Sequence, residues 1–111
     1  MTVESTKVGR AAVLKLIGRM DADTCKQFDA AWDRQLKEGA VFLVVDLSQL
    51  DYINSAGIGS FLRNGKLAAE KGGGLRISGI KGMVKEIFTM TQLITVFPLF
   101  DSPEAACQNL G

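Results

Sequence analysis

The stretch Val41-Phe42-Leu43-Val44-Val45-Asp46-Leu47-Ser48-Gln49-Leu50-Asp51-Tyr52-Ile53-Asn54-Ser55-Ala56-Gly57-Ile58-Gly59 decides the fold. Val41 to Val45 are apolar without a break, as a central strand covered on both faces requires, and the strand is expected to close at Asp46-Leu47. Beyond Asn54, the apolar residues Ile58, Phe61, Leu62 and Ala69 take the spacing of one helical face. Ser55 therefore stands where the loop after a buried strand turns into a helix. Backbone N–H groups lack partners at such a point, and the helix dipole presents its positive end. Both favour negative charge, so a hydroxyl there is well placed to become a phosphate. The plainer reading is a cap, since Ser or Asn at a helix start stabilises by roughly 1 kcal/mol over Ala. Two candidates adjoin here, however, and a cap needs only one. Either Asn54 or Ser55 keeps a free side chain.

Working outward, Ala11 to Ile17 reads as a strand that follows a short one, with Val8-Gly9-Arg10 turning between them and Gly18 ending the second. Asp21, Asp23 and Thr24 each offer a cap to the next helix, and Thr24 with Gln27 fits a capping box. That helix carries Cys25, Phe28, Trp32 and Leu36 on one stripe, the mark of a core-facing surface, and Gly39 stops it. After the Ser55 helix, Gly72-Gly73-Gly74 breaks the chain before a short strand, Leu75 to Ser78. Lys81 to Thr91 repeats a helical period, and Val96-Phe97 beside Pro98 suggests an edge strand. Ser102-Pro103-Glu104 opens a last helix. Strands alternating with helices imply an α/β domain. The expectation is a small mixed sheet of four to five strands packed with about four helices, as one domain over residues 1–111.

Composition narrows the function. An apolar share of 47% with 23% charged residues is that of an ordinary soluble globule. No apolar run approaches the ~18 residues that cross a bilayer, and Met1 to Lys7 lacks the apolar centre of a signal peptide. A cytoplasmic protein without a membrane partner is expected. The net charge of +1, with acids and bases interspersed, gives no electrostatic reason to bind nucleic acid. Cys25 and Cys107 form no C-x-x-C pair and read as reduced thiols on helices. The chain has no histidine, which excludes Ser-His-Asp and Cys-His catalysis and most zinc sites.

Three motifs tempt and fall short. Gly57-Ile58-Gly59 lacks the third glycine of a dinucleotide fingerprint, because position 62 is Leu; a tight turn and close helix packing explain it better. Ser78-Gly79-Ile80-Lys81 matches S-x-x-K without its companion motifs. Gly79-Ile80-Lys81-Gly82 matches a GXXG loop but joins a strand to a helix rather than two helices. Asp21, Asp23 and Asp46 are more suggestive. Each is placed at the end of an expected strand or in the loop beyond, so all three would gather with Ser55 on one sheet edge. They would form an acidic rim, or Asp21 or Asp23 would simply cap the first helix.

Val44-Val45-Asp46-Leu47-Ser48 and Tyr52-Ile53-Asn54-Ser55-Ala56-Gly57-Ile58-Gly59 together resemble the signature of the STAS domain, and within it the bacterial anti-sigma factor antagonists. Gly18-Arg19-Met20-Asp21 and Phe88 to Leu93 extend the resemblance along the chain. Many members carry Asp or Ser before the acceptor and Ser or Thr after it; this chain has Asn54 and Ala56. The resemblance implies that Ser55 is phosphorylated by a partner, an anti-sigma factor serine-protein kinase that supplies ATP and magnesium. A serine phosphatase would reset it. Unphosphorylated protein would capture the kinase and free a sigma factor. The chain would be no enzyme and would need no cofactor or metal of its own, acting as a monomer or weak dimer. Its partner-binding residues are expected to be Asp21, Asp23, Tyr52, Asn54, Ala56, Gly57, Ile58, Gly59 and Ser60. Two other roles share this fold. A scaffold of a larger signalling assembly would self-associate, and a subunit of a lipid-transport complex would co-purify with an ATPase.

Overall fold

The protein is described by a computed structural model covering residues 1–108. Strands β1 (Thr2–Val8) and β2 (Ala11–Met20) form an antiparallel hairpin. Then come α1 (Cys25–Lys37), β3 (Phe42–Ile53), α2 (Ser55–Glu70), β4 (Gly74–Ser78) and α3 (Gly82–Met90). A 3-10 turn at Leu93–Thr95 leads to β5 (Leu99–Phe100) and α4 (Pro103–Ala106). Strand order follows chain order in one five-stranded sheet, with β2 to β5 parallel and only β1 reversed. This is the mixed α/β architecture that the alternation of strands and helices implies.

The core lies on one face of the sheet. Leu14, Leu16 and Met20 of β2 and Val45, Leu47 and Ile53 of β3 pack there with Phe28, Trp32, Phe61 and Phe88 from the three long helices. Phe61 sits between two aromatic rings, 5.2 Å from Phe28 and 6.1 Å from Phe88, both edge-on. Such pairs add about 0.5–1.5 kcal/mol each beyond simple burial. The opposite face is covered lightly, since α4 is short and buries only Ala106. Pro98 sits just before β5, where its carbonyl accepts from the Ile77 N–H. The edge strand thus begins after the proline rather than at Val96-Phe97.

Two elements differ from the sequence reading in ways that bear on function. The central strand does not close at Asp46-Leu47 but runs on to Ile53. It remains paired with β2 because the register slips twice, between Lys15 and Ile17 and again between Gly18 and Arg19. Gly18, expected as the end of β2, lies inside it at the second slip with φ +106°, a conformation suited to glycine. Asp46 is consequently not at the strand end. It is a buried mid-strand residue seven positions before Ile53, roughly 20 Å away at about 3.3 Å per residue, and does not join Asp21 and Asp23.

The second difference is the buried face of α2. Gly57, Ser60, Phe61, Asn64, Gly65 and Ala68 point inward, whereas Leu62 and Ala69 are exposed. The polar members of this stripe are accommodated because α1 offers Asp29 to them, and its glycines because Gly57 and Gly65 lie tight against Ile53 and Phe97. Asp29 Oδ1 accepts from the Ser60 hydroxyl at 2.5 Å and from Asn64 Nδ2 at 2.7 Å, while Oδ2 meets the Arg63 guanidinium at 3.1 Å.

Candidate functional site

The parallel pairing of β2 and β3 brings their ends together. Arg19 pairs with Tyr52 and Met20 with Ile53, and the Asn54 N–H donates to the Met20 carbonyl at 3.1 Å. The loop after β2 and the start of α2 therefore lie side by side. Asp21 follows Met20 on one side of this junction and Ser55 follows Asn54 on the other.

Asn54, in extended conformation at φ −114° and ψ −173°, is the N-cap of α2. Its Oδ1 accepts from the N–H groups of Ala56 at 3.0 Å and Gly57 at 3.3 Å. Of the two adjoining candidates, Asn54 does the capping. Ser55 is the first helical residue, exposed, with its hydroxyl outside the capping bonds. The helix dipole still favours an anion there, although Asn54 already occupies two of the first-turn donors.

Asp21 organises the neighbouring loop. Its Oδ1 accepts from the N–H groups of Asp23 and Thr24, both at 3.0 Å, and lies 3.1 Å from the Thr24 hydroxyl. The Thr24 N–H holds the Asp21 carboxyl below its ordinary value; the Thr24 hydroxyl, the Asp23 N–H and the Arg19 guanidinium add to this, and desolvation works the other way. Thr24 itself makes no side-chain cap bond to α1, contrary to the capping box expected with Gln27. Its hydroxyl oxygen is taken by the Asp21 N–H at 2.8 Å and sits 2.8 Å from the Arg19 carbonyl. Asp21 ties the turn before α1 rather than capping the helix itself, whose N-cap position is Thr24. Asp23 is exposed beside it.

The remaining expected residues separate into two groups. Tyr52, Ala56, Ile58 and Gly59 are half-buried around Ser55. Gly57 and Ser60 are buried. A Cβ on Gly57 would fall 2.7 Å from Ile53 Cγ1 and 3.0 Å from Met20 Cγ, so this glycine lets α2 approach the strand ends. Ser60, expected on the partner-facing turn, is fully buried and bonded to Asp29. Gly59 meets nothing within 4 Å of an added Cβ, so close packing does not account for it.

One residue of the site escaped the sequence reading. The Arg19 guanidinium stacks over the Tyr52 ring at 4.3 Å from its centroid, placing a cation on the edge that carries Asp21 and Ser55. Such stacking contributes about 0.5–1 kcal/mol at exposed sites. Only the strand register could reveal it, since Arg19 and Tyr52 are distant in sequence. Among the described residues no His, Cys, Asp or Glu group is arranged to hold a metal ion, and no helix is long and apolar enough to cross a membrane.

Comparison with known proteins places this geometry. The STAS domain family model matches residues 2–106. BtrV of Bordetella bronchiseptica, described as an anti-sigma factor antagonist, is 30% identical over 106 residues, covering 96% of this chain and 91% of its own. The crystal structure of an anti-sigma factor antagonist from Thermotoga maritima superposes with a TM-score of 0.87 at 16% identity, covering 97% of this chain and 93% of that one. The antagonist SpoIIAA in its unphosphorylated form gives 0.73 at 19% identity over 95% of this chain and 93% of its own, and the phosphorylated Bacillus form gives 0.72. Matched over nearly its whole length by the family model and by a relative of the same size, the chain belongs to the STAS domain family, among its anti-sigma factor antagonists.

Proposed function

We propose that this protein is a phosphorylation-gated partner switch. With Ser55 unmodified it binds an anti-sigma factor serine kinase in the cytoplasm and releases a sigma factor. The kinase, bringing its own ATP and magnesium, phosphorylates Ser55 and thereby ends the complex, and a serine phosphatase restores it. The chain is substrate and competitor rather than enzyme, acting as a monomer or weak dimer over one STAS domain. The observation that carries the reading is the division of labour at the helix start: Asn54 caps, and Ser55 is left exposed.

Charge supplies the gate. A phosphate adds about −1.5 to −2 units at Ser55, which the helix N-terminus accommodates. A partner seated against Tyr52, Ala56, Ile58 and Gly59, with Asp21 and Asp23 nearby, accepts a neutral hydroxyl. It rejects the dianion wherever its own acids or buried carbonyls face it, each unscreened contact costing on the order of 1 kcal/mol. Arg19 offsets part of this charge on the antagonist's own surface. The test is incubation with the cognate kinase and ATP, followed by mapping of phosphate by mass spectrometry. Phosphate on Ser55 is expected. Dominant phosphate on Ser48, Ser102 or any threonine would remove Ser55 from the role.

A further inference from the structure

The lightly covered face of the sheet carries a groove unrelated to Ser55. It has a volume of about 570 Å³ and lies between the β1–β2–β3 surface and α4. That is within the roughly 300–1,000 Å³ range of small-molecule sites. Val8, Val13, Pro103 and Cys107 give it apolar walls. Its floor is a row of residues in register across three strands, Glu4 beside Lys15 and Lys15 beside Asp46, and Glu104 faces it from α4.

Asp46 is the anomaly. It sits on the central strand with only 8% of its surface exposed, and a buried carboxylate is costly unless it is paired. Oδ1 accepts from the Ser48 N–H at 3.0 Å, and Oδ2, which is not among the fully buried unpaired atoms, is left on the groove side. Neither oxygen makes an ion pair with Lys or Arg among the described residues. Lys15 stands between two carboxylates in the row, and Glu104 adds a third, so the acids outnumber the ammonium.

We infer that this groove binds a small amphipathic cation, an alkyl body on Val8, Val13, Pro103 and Cys107 with its ammonium group on Asp46. Charge complementarity selects the ammonium: Asp46, Glu4 and Glu104 line the groove against the single ammonium of Lys15, so one further cation is favoured there. The site is independent of the phosphorylation switch, because Asp46 lies far along β3 from Ser55.

The test titrates isotope-labelled full chain with n-hexylamine, hexan-1-ol and hexanoate, following backbone amide resonances. Hexylamine is expected to give saturable shifts clustered at Thr6, Val13, Lys15 and Glu104, with affinity about tenfold above the alcohol and the acid. Asp46→Asn keeps the acceptor for the Ser48 N–H and is expected to erase that preference. Should this variant lose its dispersed spectrum, Glu104→Gln in the exposed first turn of α4 is expected to weaken hexylamine about threefold while leaving hexanol unchanged. Equal affinity for the three probes overturns the inference, as does a preference for hexanoate, which would give the site to Lys15. Absence of saturable shifts in the groove overturns it too.

Discussion

Ser55 and Ser60 stand on the same helix, a little more than one turn apart, and the fold uses them in opposite ways. Ser55 is exposed and free of the capping bonds that Asn54 makes. Ser60 is wholly buried, its hydroxyl given to Asp29 of the neighbouring helix. The first turn of α2 is thus a surface held in place from beneath, by Asn54 and by the close approach of Gly57 to Ile53 and Met20. The second is a seam, where Ser60, Asn64 and Arg63 converge on one carboxylate. Identical side chains differ in role because one hydroxyl has a buried acceptor in reach and the other has solvent.

The sharpest break in this contrast is charge at the exposed turn. Ser55→Asp is expected to lower affinity for the kinase about a hundredfold, as two or three like-charge contacts of roughly 1 kcal/mol imply, while leaving stability within about 0.5 kcal/mol. Calorimetry and urea melts on wild type, Ser55→Asp and Ser55→Ala read both quantities. Equal affinity of wild type and Ser55→Asp would remove charge gating. The seam responds the other way. Asp29→Ala takes the acceptor from the buried Ser60 hydroxyl, while the Asn64 amide keeps the Ser60 carbonyl, and is expected to cost about 2 kcal/mol in urea melts. A near-neutral result would mean that water replaces the carboxylate.

The two glycines near the start of α2 refine the comparison. Gly57→Ala drives a Cβ into Ile53 and is expected to destabilise by about 1 kcal/mol or more. Gly59→Ala meets open space and is expected to stabilise by up to about 1 kcal/mol, the usual difference between the two residues inside a helix. If Gly59→Ala also weakens kinase binding, the bare backbone there is part of the partner surface; unchanged binding returns it to neutrality.

The smallest effect belongs to Asp21. Its carboxyl is held below the ordinary value of 3.8, so the ionised form is favoured by the fold. Its contribution is therefore present above pH 3.8 and is lost as pH falls from there through the lowered value. Melts of wild type and Asp21→Asn across this acid range are expected to converge as pH falls. A constant difference would show that the turn depends on shape alone. A kinase time course on the same variant asks whether Asp21 also serves phosphorylation. An unchanged rate beside a clear stability loss leaves it only the turn.

Local chemistry was legible wherever it needed no distant partner. The apolar run from Val41, the strand–loop–helix junction at Ser55, the stripe of Cys25, Phe28 and Trp32, and the Ser102 cap all follow from neighbours in sequence. Ser102 indeed accepts from the Ala105 N–H at 3.1 Å. The resemblance to STAS domains rested on the same junction, and the family match bears it out. Most failures came where a side chain's partner lay on another element, as with Ser60, expected to face a partner but bonded to Asp29 of α1. Thr24 failed for a local reason, because the Asp21 N–H and the Arg19 carbonyl claim its hydroxyl.

The sequence by itself determined the alternation of strands and helices, the helix start at Ser55, and the choice between two adjoining caps as a choice worth making. Backbone propensity and hydrophobic period act over a few residues, so those features could be read from the chain. The tertiary structure alone decided that Asn54 is the cap, that Ser60 is buried against Asp29, that Arg19 lies over Tyr52, and that Asp46 sits mid-strand in a groove. Each depends on strand register or on helix–helix contact, and a slip of one residue moves every side chain of a strand to the other face.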